Sequence, residues 1–403
     1  MKILVLNAGS STYKGALFNV ERTCYDIPLE PLWEGLLDFG IDSKMATLRI
    51  IIPKRKTFEK QIPNKNLSES VEELFKTAWM GPDPVISGPE ELEAVGHRVV
   101  HGGDKFQKPI RITQEVKNAI RELIPLAPLQ NPASLAGIEI LQALFPSVPH
   151  VAVFDTAYHA TIPDYAAAYA LPSEYNQLGI RRYGFHGISH EYCSKRAASL
   201  LEKNLSGLKM ITCHLGNGSS LAAIAGGKSI DTTMGFTPME GLMMGTRCGS
   251  IDPGILLYLL RENHVKVNDL DHCLNYEAGL KGVCGSADMR EVMQKRQNGK
   301  PEAVLAFEML LHSLHRNIGS MIGVLGGLDV LVLAGGIGEN IPEIRELVCC
   351  RLNYLGAELD SNKNQHVQGD QEISLSSSKI KVLVIHTREE LAIAQACFDL
   401  HSF

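Results

Sequence analysis

Short apolar runs alternate along this chain with longer segments of helical periodicity. Aliphatic and β-branched runs of about four to eight residues are typical of buried strands, and apolar positions recurring every three to four residues are typical of helices. The runs predict strands at 3–7, 48–52, 94–100, 150–154, 210–214, 221–225, 329–334 and 381–386. The periodic segments predict helices at 115–124, 133–144, 188–203, 253–262, 302–325 and 388–399. Strands mixed with crossover helices indicate an α/β protein.

Chain length and polar gaps suggest how these elements are organised. A chain of 403 residues exceeds what one hydrophobic core usually serves, so two domains are expected. The polar stretches 53–70 and 361–379 interrupt the pattern and are predicted to be surface excursions.

Composition and charge exclude several classes of protein. The content of 45% hydrophobic and 21% charged residues is ordinary for a globular protein, and the net charge of −6 argues against a general nucleic-acid binder. Nine scattered cysteines without a CxxC pair indicate reduced thiols in a cytoplasmic protein. A strand that begins at residue 3 argues against a signal peptide. The least charged stretch, 318–338, is rich in glycine and is interpreted as helix end, turn and strand, so no membrane span is expected.

Two strand-to-turn segments share an unusual composition. The run 3–6 opens into Asn7-Ala8-Gly9-Ser10-Ser11-Thr12 with Lys14 nearby, and the run ending at Cys213 opens into His214-Leu215-Gly216-Asn217-Gly218-Ser219-Ser220. Either segment alone could be an ordinary hairpin turn, because serine-rich turns are common. Amides and hydroxyls of such turns can also converge on an anion. The recurrence favours one phosphate loop from each domain, facing a shared cleft.

A third glycine turn follows the predicted strand 329–334. The segment Gly335-Gly336-Ile337-Gly338-Glu339-Asn340 is similar to GxGxxG but lacks its third glycine, so a dinucleotide site is weakly supported. A strand, glycine turn and helix that let adenosine approach the backbone is the better interpretation.

Arginine and histidine cluster beside glycine in three places. These are the segments 96–103, 181–190 and 245–254. Glycine neighbours let a planar guanidinium approach a bound anion closely. A single arginine is more often part of a surface salt bridge, but three clusters together with two phosphate loops favour an anion site.

Two histidine pairs and several acidic residues are candidate metal ligands. The pairs His97/His101 and His186/His190 have the i, i+4 spacing of zinc ligands, yet their glycine-rich surroundings and the lack of an intervening glutamate disfavour zinc. Magnesium held by one carboxylate and nucleotide phosphates fits better. Asp155 follows a strand, where a cleft is expected, and Glu389 and Glu390 open the last helix and can reach the same cleft. Glu389 could equally stabilise the helix terminus.

At the level of whole motifs, the chain resembles the acetokinase family, within the sugar kinase–Hsp70–actin superfamily. The motifs run in family order from residue 1 to about 399: VLNAGSSTYK, GHRVVHGG, LAPLQNPAS, FDTAYH, RRYGFHGISH, CHLGNGSS, TPMEGLMMGTRCGSIDP, LAGGIGEN and TREELAIA. The resemblance implies a two-domain actin-like ATPase fold, related to ribonuclease H, with mixed sheets flanked by helices and an interdomain cleft. The expected domains are 1–153 completed by 387–403, and 154–386.

The resemblance also implies residue roles. The catalytic set is Asp155, His186 and Arg247; the substrate set is Arg98 with the acyl-pocket residues Val100, Leu129, Phe185 and Pro238; the metal-associated residues are Asn7 and Glu389. The implied ATP-binding residues are Ser10, Thr12, Lys14, His214, Leu215, Gly216, Asn217, Gly218, Asp288, Met289, Arg290, Gly336, Ile337, Gly338, Glu339 and Asn340.

The implied reaction is reversible phosphoryl transfer from ATP to acetate, with Mg²⁺ or Mn²⁺, in a cytoplasmic homodimer that binds neither nucleic acid nor membrane. A carboxylate acceptor is already ionised at pH 7, so the reaction needs cationic clamps rather than a general base. Asp155 is therefore expected to orient Arg98 or a metal-bound water. Propionate kinase is the nearest alternative, and an Hsp70-like binding protein would need a further peptide-binding domain.

Three departures from the family pattern bear on rate and substrate preference. Gln130 stands where the family has histidine, which keeps a hydrogen-bond donor but no positive charge. Ser250 stands where the family has aspartate, and Thr12 replaces serine while keeping the hydroxyl. Because of the first two changes, a relative of low activity is a further alternative.

Overall fold

The computed structural model describes most of the chain. It describes residues 1–401 apart from Ser10, Ser11, Arg22, Cys24, 41–44, Lys54, Lys56, Asn64, Lys65 and the side chain of Asn176. The predicted ATP-binding residue Ser10 therefore lies outside the described residues.

The described residues form strands and helices throughout. The strands are β1 Lys2–Ala8, β2 Thr12–Asn19, β3 Trp33–Asp38, β4 Met45–Ile51, β5 Phe58–Pro63, β6 Ala94–Val99, β7 Ile110–Arg111, β8 His150–Phe154, β9 Lys209–Leu215, β10 Ser219–Ala225, β11 Lys228–Thr232, β12 Val330–Ala334, β13 Gln371–Glu372 and β14 Lys381–Val384. The helices are α1 Leu67–Met80, α2 Gln114–Glu122, α3 Gln130–Leu144, α4 Asp164–Ala167, α5 Ser173–Gln177, α6 Gly187–Leu200, α7 Pro253–Arg261, α8 Val267–His272, α9 Gly279–Cys284, α10 Met289–Gln297, α11 Pro301–Leu325, α12 Gly335–Asn340, α13 Pro342–Cys350, α14 Ser361–Gln365 and α15 Glu389–His401.

The chain divides into two compact units. The amino-terminal unit comprises Met1–Tyr158 and Arg388–Phe403, and the carboxy-terminal unit comprises His159–Thr387. The domain limits expected from the sequence, 153/154 and 386/387, remain predictions.

The amino-terminal unit is built on an eight-stranded sheet in the order β5-β4-β3-β2-β1-β6-β8-β7. Strands β1, β6 and β8 run parallel and are almost wholly buried, as expected for strands covered by helices on both faces. Small residues let those helices approach. A Cβ on Gly96 would lie 2.6 Å from Ile393 of α15, and one on Gly137 of α3 would lie 2.7 Å from Leu6.

The carboxy-terminal unit has a six-stranded sheet in the order β11-β10-β9-β12-β14-β13, with β9, β12 and β14 parallel. Alternation along β9 directs Ile211 and Cys213 into the core formed with α11, which includes Phe307. The alternate residues, Thr212 and His214, point to the other face of the sheet, where their side chains bond to side chains of α6. The pleat therefore decides which side chains of β9 can join a polar cluster.

Comparison with the sequence-based elements shows agreement and specific errors. Each of the eight predicted strands and six predicted helices overlaps an observed one, and the α/β class with mixed sheets is confirmed. Among the described residues, six observed strands were not predicted, namely β2, β3, β5, β7, β11 and β13. In β2 and β3 the glycines Gly15 and Gly35 interrupt the apolar pattern of the sequence. No side chain fits at these positions, because the space above them is filled by Phe75, Trp33 and Leu74.

The two predicted surface excursions do lie mainly at the surface, but they also contain regular elements. Segment 53–70 contains β5 and the start of α1, and most of its described residues are exposed. Segment 361–379 contains α14 and β13, and it is also mostly exposed although Ile373 is completely buried. Polar composition indicated the exposure but did not reveal the helices and strands. Over the part of the chain that is described, no helix combines the length and apolarity that a membrane crossing requires.

Candidate active site

Parallel strand ends bring a polar cluster together in the amino-terminal unit. Register pairs Leu6 of β1 with His97 of β6, so Asn7 and Arg98, one position further along, are neighbours at the same sheet edge. Asp155 follows the last residue of β8, next to them. The carboxyl ends of parallel strands are where α/β proteins commonly hold ligands.

Arg98 is the centre of this cluster. Its Nε donates to Asp155 Oδ2 over 3.0 Å and its Nη2 donates to the same oxygen over 2.6 Å. Its Nη1 donates to Asn7 Oδ1 over 3.1 Å and lies 3.6 Å from Glu389 Oε2. Asn7 Nδ2 in turn donates to Glu390 Oε1 over 3.2 Å. The guanidinium is thus fixed by two carboxylates and one amide.

Burial controls the charges of this cluster. Asp155 is 1% exposed, and this desolvation raises its pKa to about 6, while the Arg98 guanidinium opposes the rise. Burial disfavours the charge on Arg98, but Asp155 and Glu389 more than compensate and raise the pKa of Arg98. At neutral pH the cluster therefore holds an ion pair whose cation is already balanced.

The donor set suits a hard divalent cation. Asn7, Asp155, Glu389 and Glu390 supply amide and carboxylate oxygens, the ligands that Mg²⁺ prefers. Among the described residues no group of three or more His, Cys, Asp or Glu side chains is arranged as a complete metal cage. Magnesium commonly takes one or two carboxylates together with substrate phosphates and water, so Asn7 and Glu389 fit that mode.

The other predicted residues of this unit differ in their position relative to the cluster. Lys14 is the register partner of Asn7 in the β1–β2 hairpin, so the two side chains share one face of the sheet. Thr12 closes the turn, its carbonyl accepting from Gly9 N over 2.7 Å. Val100 follows β6, whereas Leu129 precedes α3 with a side chain 46% exposed.

The turn between β9 and β10 forms the centre of a second cluster, in the carboxy-terminal unit. Gly216 N donates to Gly218 O over 3.1 Å, which closes the three-residue turn. A Cβ on Gly218 would lie 3.3 Å from Arg247 Nη1 and 3.5 Å from His186 Nε2. The predicted phosphate loop and two of the predicted catalytic residues are therefore brought together.

His186 is held by a chain of hydrogen bonds. Its Nδ1 bonds to Ser220 Oγ over 2.9 Å, and the same oxygen bonds to His190 Nε2 over 2.8 Å. His190 Nδ1 reaches Thr212 Oγ1 over 2.7 Å. Burial lowers the pKa of His190 well below its usual value, so His190 is neutral at pH 7.

The backbone and ring of His186 are constrained as well. His186 adopts φ 56° at the start of α6, a conformation that non-glycine residues rarely accept. Its ring stacks on His214 with centroids 4.2 Å apart, and His214 Nδ1 bonds to Ser189 Oγ over 2.8 Å. Strain of this kind persists only where the surroundings impose it, and it is common at functional sites.

Arg247 is a cation without a compensating acid. Its Nη1 donates to Pro238 O over 3.2 Å and approaches Met244 Sδ at 3.9 Å. Among the residues that the structure describes, no carboxylate pairs with it, and burial lowers its pKa. The predicted acyl-pocket residue Phe185 is buried beside His186, and Pro238 is bonded to Arg247.

A cavity of 790 Å³ opens beside the turn. It is lined by Gly216, Asn217, Ala287, Asp288, Met289, Arg290, Gly336, Ile337, Asn340 and Ile341. Three segments predicted to bind ATP thus share one cavity, whose size falls in the range of nucleotide-sized sites. Gly335 makes this possible, since a Cβ there would lie 2.6 Å from Leu215 O.

Not every predicted ATP residue faces this cavity. Glu339 Oε1 accepts from Gly335 N over 2.9 Å and from Thr387 N over 3.0 Å, so its carboxylate ties two backbone segments together. Leu215 is buried in the core, and Gly338 is a buried residue of α12. Asp288 bonds to its neighbour Arg290, which lowers the pKa of Asp288 to about 2.

The sequence did not reveal which side chains hold the predicted site residues. Glu390, which opens the last helix together with Glu389, is the partner of Asn7. Ser220, at the end of the predicted phosphate loop, and His190 hold His186. Their spacing in the sequence could not reveal the contact, because it depends on the pairing of β9 with β10 and the packing of α6.

Comparisons with known proteins define the class. The family model described as the Acetokinase family matches residues 2–395. Relatives named acetate kinase from Cyanothece sp. and Acaryochloris marina are 48% and 49% identical over 401 and 400 residues, covering 99% of this chain and 98% and 99% of theirs. The chain belongs to the Acetokinase family, so the family predicted from the motifs is confirmed.

Solved structures agree in fold. The acetate kinase of Porphyromonas gingivalis superimposes with a TM-score of 0.91 at 38% identity, covering 99% of both chains. A propionate kinase from Francisella tularensis superimposes with a TM-score of 0.89 at 40% identity, covering 98% of both chains. The predicted two-domain kinase fold is confirmed.

Proposed function

We propose that this protein transfers the γ-phosphoryl group of ATP to acetate, giving acetyl phosphate and ADP, reversibly. The supporting observation is the uncompensated Arg247 that lies with His186 over the Gly218 turn, next to the cavity lined by three ATP-binding segments. The relatives named acetate kinase support acetate as the acceptor.

The residues present suit the charge problem of this reaction. A carboxylate oxygen of acetate forms a bond to the γ-phosphorus while the bond from that phosphorus to the β–γ bridging oxygen breaks, and ADP leaves. Both reactants are anions, so the barrier is mainly electrostatic. Arg98 would hold the acetate carboxylate, Arg247 and His186 would stabilise charge on the transferring group, and Asp155 would orient Arg98. No general base is required, since acetate is ionised at pH 7.

Magnesium, or manganese in its place, belongs to the proposal. Asn7 and Glu389 would hold the ion, which would neutralise phosphate charge when bound. Thr12 and Lys14, on the adjoining hairpin, would contact the nucleotide phosphates. In the cavity, Asp288, Met289, Arg290 and the 336–340 segment would bind adenosine.

Propionate is a second candidate acceptor. The likeness to the propionate kinase of Francisella tularensis favours it, and one methylene is worth only about 1–3 kcal/mol of discrimination. Two residues that depart from the family pattern bear on rate. Ser250 Oγ accepts from Gly241 N over 3.0 Å, and Gln130 begins α3. Neither restores the charge that the family pattern carries at its position.

A hydroxamate assay tests the function. Purified protein is incubated with ATP, Mg²⁺ and hydroxylamine, with acetate, propionate or butyrate as acceptor. We expect the most acyl hydroxamate with acetate, less with propionate and least with butyrate. The Arg247→Ala variant, prepared identically, measures contaminating kinase. Absence of hydroxamate with all three acids would disprove the proposal, and a preference for propionate would change the substrate.

A homodimer in the cytoplasm completes the proposal. Helix α7 is apolar, yet none of its side chains is buried, and Ile255, Leu257 and Tyr258 are each about half exposed. Exposed apolar faces of this kind commonly mark subunit interfaces. No disulfide joins cysteines among the described residues, as expected in a reducing compartment. Light scattering should give twice the chain mass, and Leu257→Glu should give a monomer; a monomeric wild-type protein would contradict the dimer.

A further inference from the structure

The segment 235–240 carries Pro238 of the proposed acyl pocket, and it is held in part by Tyr169 and Glu240, which belong to none of the predicted sites. We propose that Tyr169, Glu240 and Arg182 form a clamp that positions this segment, making Tyr169 and Glu240 determinants of acyl-chain specificity. The inference rests on the proposed function, because it concerns the pocket that would receive the acyl group.

Tyr169 joins the two ends of the segment through one hydroxyl. Its Oη accepts from Phe236 N over 2.9 Å and donates to Glu240 Oε2 over 2.5 Å. Pro238 lies midway between these two anchored positions. A single oxygen therefore fixes the width of the loop that carries Pro238.

Arg182 closes the clamp from the other side. Its Nη2 donates to Glu240 Oε1 over 2.9 Å, and its Nη1 donates to Thr232 O over 3.0 Å and to Met234 O over 3.3 Å. The guanidinium also lies 5.7 Å from the centroid of the Tyr169 ring. Its side chain is 17% exposed, so these charge-assisted bonds are shielded from water.

Close approach within the clamp requires glycine at one position. A Cβ on Gly235 would overlap both Glu240 Oε2 and Tyr169 Oη. Gly235 O also accepts from Tyr183 N over 3.1 Å and from Gly184 N over 3.3 Å. This pairing sets segment 235–240 directly against the segment that continues into Phe185.

The clamp thus connects three predicted site residues of the carboxy-terminal unit, namely Pro238, Phe185 and Arg247. It positions Pro238 relative to Phe185, the two acyl-pocket residues of this unit, and Pro238 O is the acceptor for Arg247 Nη1. An apolar pocket separates acids that differ by one methylene through packing alone. A small widening of the loop would therefore reduce the preference for the shorter acid.

The protonation state of Tyr169 is consistent with this role. Burial and the Glu240 carboxylate raise the pKa of Tyr169 above its usual value. The hydroxyl therefore keeps its proton, and its bond to Glu240, across the physiological pH range.

Tyr169→Phe removes the central oxygen, and Tyr183→Phe is a matched control. Tyr183 Oη donates to Gly179 O over 2.8 Å, and Tyr183→Phe removes this hydroxyl while keeping the ring and the amide that pairs with Gly235 O. For each protein, kcat and KM are measured with acetate, propionate and ATP. We expect Tyr169→Phe to lower the acetate-to-propionate ratio of kcat/KM about tenfold and leave the KM for ATP within about twofold. Tyr183→Phe should keep the wild-type ratio.

A second measurement tests the clamp independently of enzyme activity. Hydrogen exchange of the peptide covering 235–240 should accelerate about tenfold in Tyr169→Phe and stay unchanged in Tyr183→Phe, since only the former frees the Phe236 amide. If Tyr169→Phe does not fold, Glu240→Gln, which keeps the shape but weakens the Arg182 bond, should change both quantities in the same direction.

Each outcome has one meaning. Unchanged exchange in Tyr169→Phe overturns the clamp. Faster exchange with an unchanged acid ratio, or an equal change of ratio in Tyr183→Phe, overturns the specificity role. A wild-type protein that phosphorylates no acid disproves the proposed function and with it the specificity role, while the exchange result still decides whether the clamp exists.

Discussion

The two polar clusters hold their arginines in opposite electrostatic states. Arg98 of the amino-terminal unit is bonded to Asp155 and lies near Glu389, so its charge is balanced before any ligand arrives. Arg247 of the carboxy-terminal unit bonds only to neutral groups, Pro238 O and Met244 Sδ, among the described residues.

The difference shows which cation an incoming anion would stabilise more. A half-buried cation without a counter-charge has lost hydration and gained little in return, so binding an anion recovers that cost. A paired guanidinium has already recovered it and mainly supplies fixed donor geometry. We therefore propose that Arg247 stabilises the developing charge and that Arg98 orients the acceptor.

The largest expected effect is the loss of Arg247. Arg247→Ala should lower kcat by a factor on the order of 10³, as removal of an arginine that stabilises transferring phosphoryl charge does. Steady-state assays with acetate and ATP measure this. Arg247→Lys keeps the positive charge but lacks the planar guanidinium, so its kcat should lie between those of the wild type and Arg247→Ala. A decrease of less than tenfold in the alanine variant would contradict the assignment.

The free energy of unfolding should be affected in the reverse order, more by the loss of Arg98 than by the loss of Arg247. Arg98→Ala leaves Asp155 and Glu389 without their cation, which should lower the free energy of unfolding by about 3 kcal/mol. Arg247→Ala removes an unpaired charge and should cost less than about 1 kcal/mol. Urea unfolding of both variants beside the wild type measures the contrast. Equal losses would show that Arg247 has a partner in the folded protein.

Acid should act on the neutral histidines of the carboxy-terminal unit. Burial lowers the pKa of His159 to about 4, against about 6.5 when unfolded. As the pH falls below 6.5, the unfolded chain binds the proton first, so the stability present above that pH is lost progressively toward pH 4. From pH 7 to pH 5 this amounts to about 2 kcal/mol. Unfolding of wild type and His159→Gln at both pH values should show a loss that is smaller in the variant by about this amount, because other buried histidines still titrate there; identical losses would refute it.

The smallest effect should come from an exposed arginine. Arg290 pairs with Asp288, and its side chain is 89% exposed, so the pair is screened by water and salt. Arg290→Ala should change the KM for ATP by less than about threefold. A change as large as that of Arg247→Ala would mean that exposure does not separate the two arginines.

Much of the site could be predicted because it lies in continuous motifs. Asn7 and Arg98 lie within predicted strands, Asp155 follows one, and the family resemblance implied that Asp155 orients Arg98, which it does. The contacts made by Ser220, Glu390 and Tyr169 were not predicted. Their roles arise from contacts with residues 34, 383 and 71 positions away in the chain, and no local pattern encodes such pairs.

By itself the sequence determined the family, the α/β class, the position of the main strands and helices, and the residues next to the glycine turns. Local patterns encode these because strands, turns and helices follow from neighbouring residues. Only the tertiary structure decided which arginine is balanced and which is not, that His186 is strained and held by Ser220, and that Tyr169 clamps the 235–240 segment. Charge balance, strain and clamping depend on what packs against a residue, and packing joins parts of the chain that are distant in sequence.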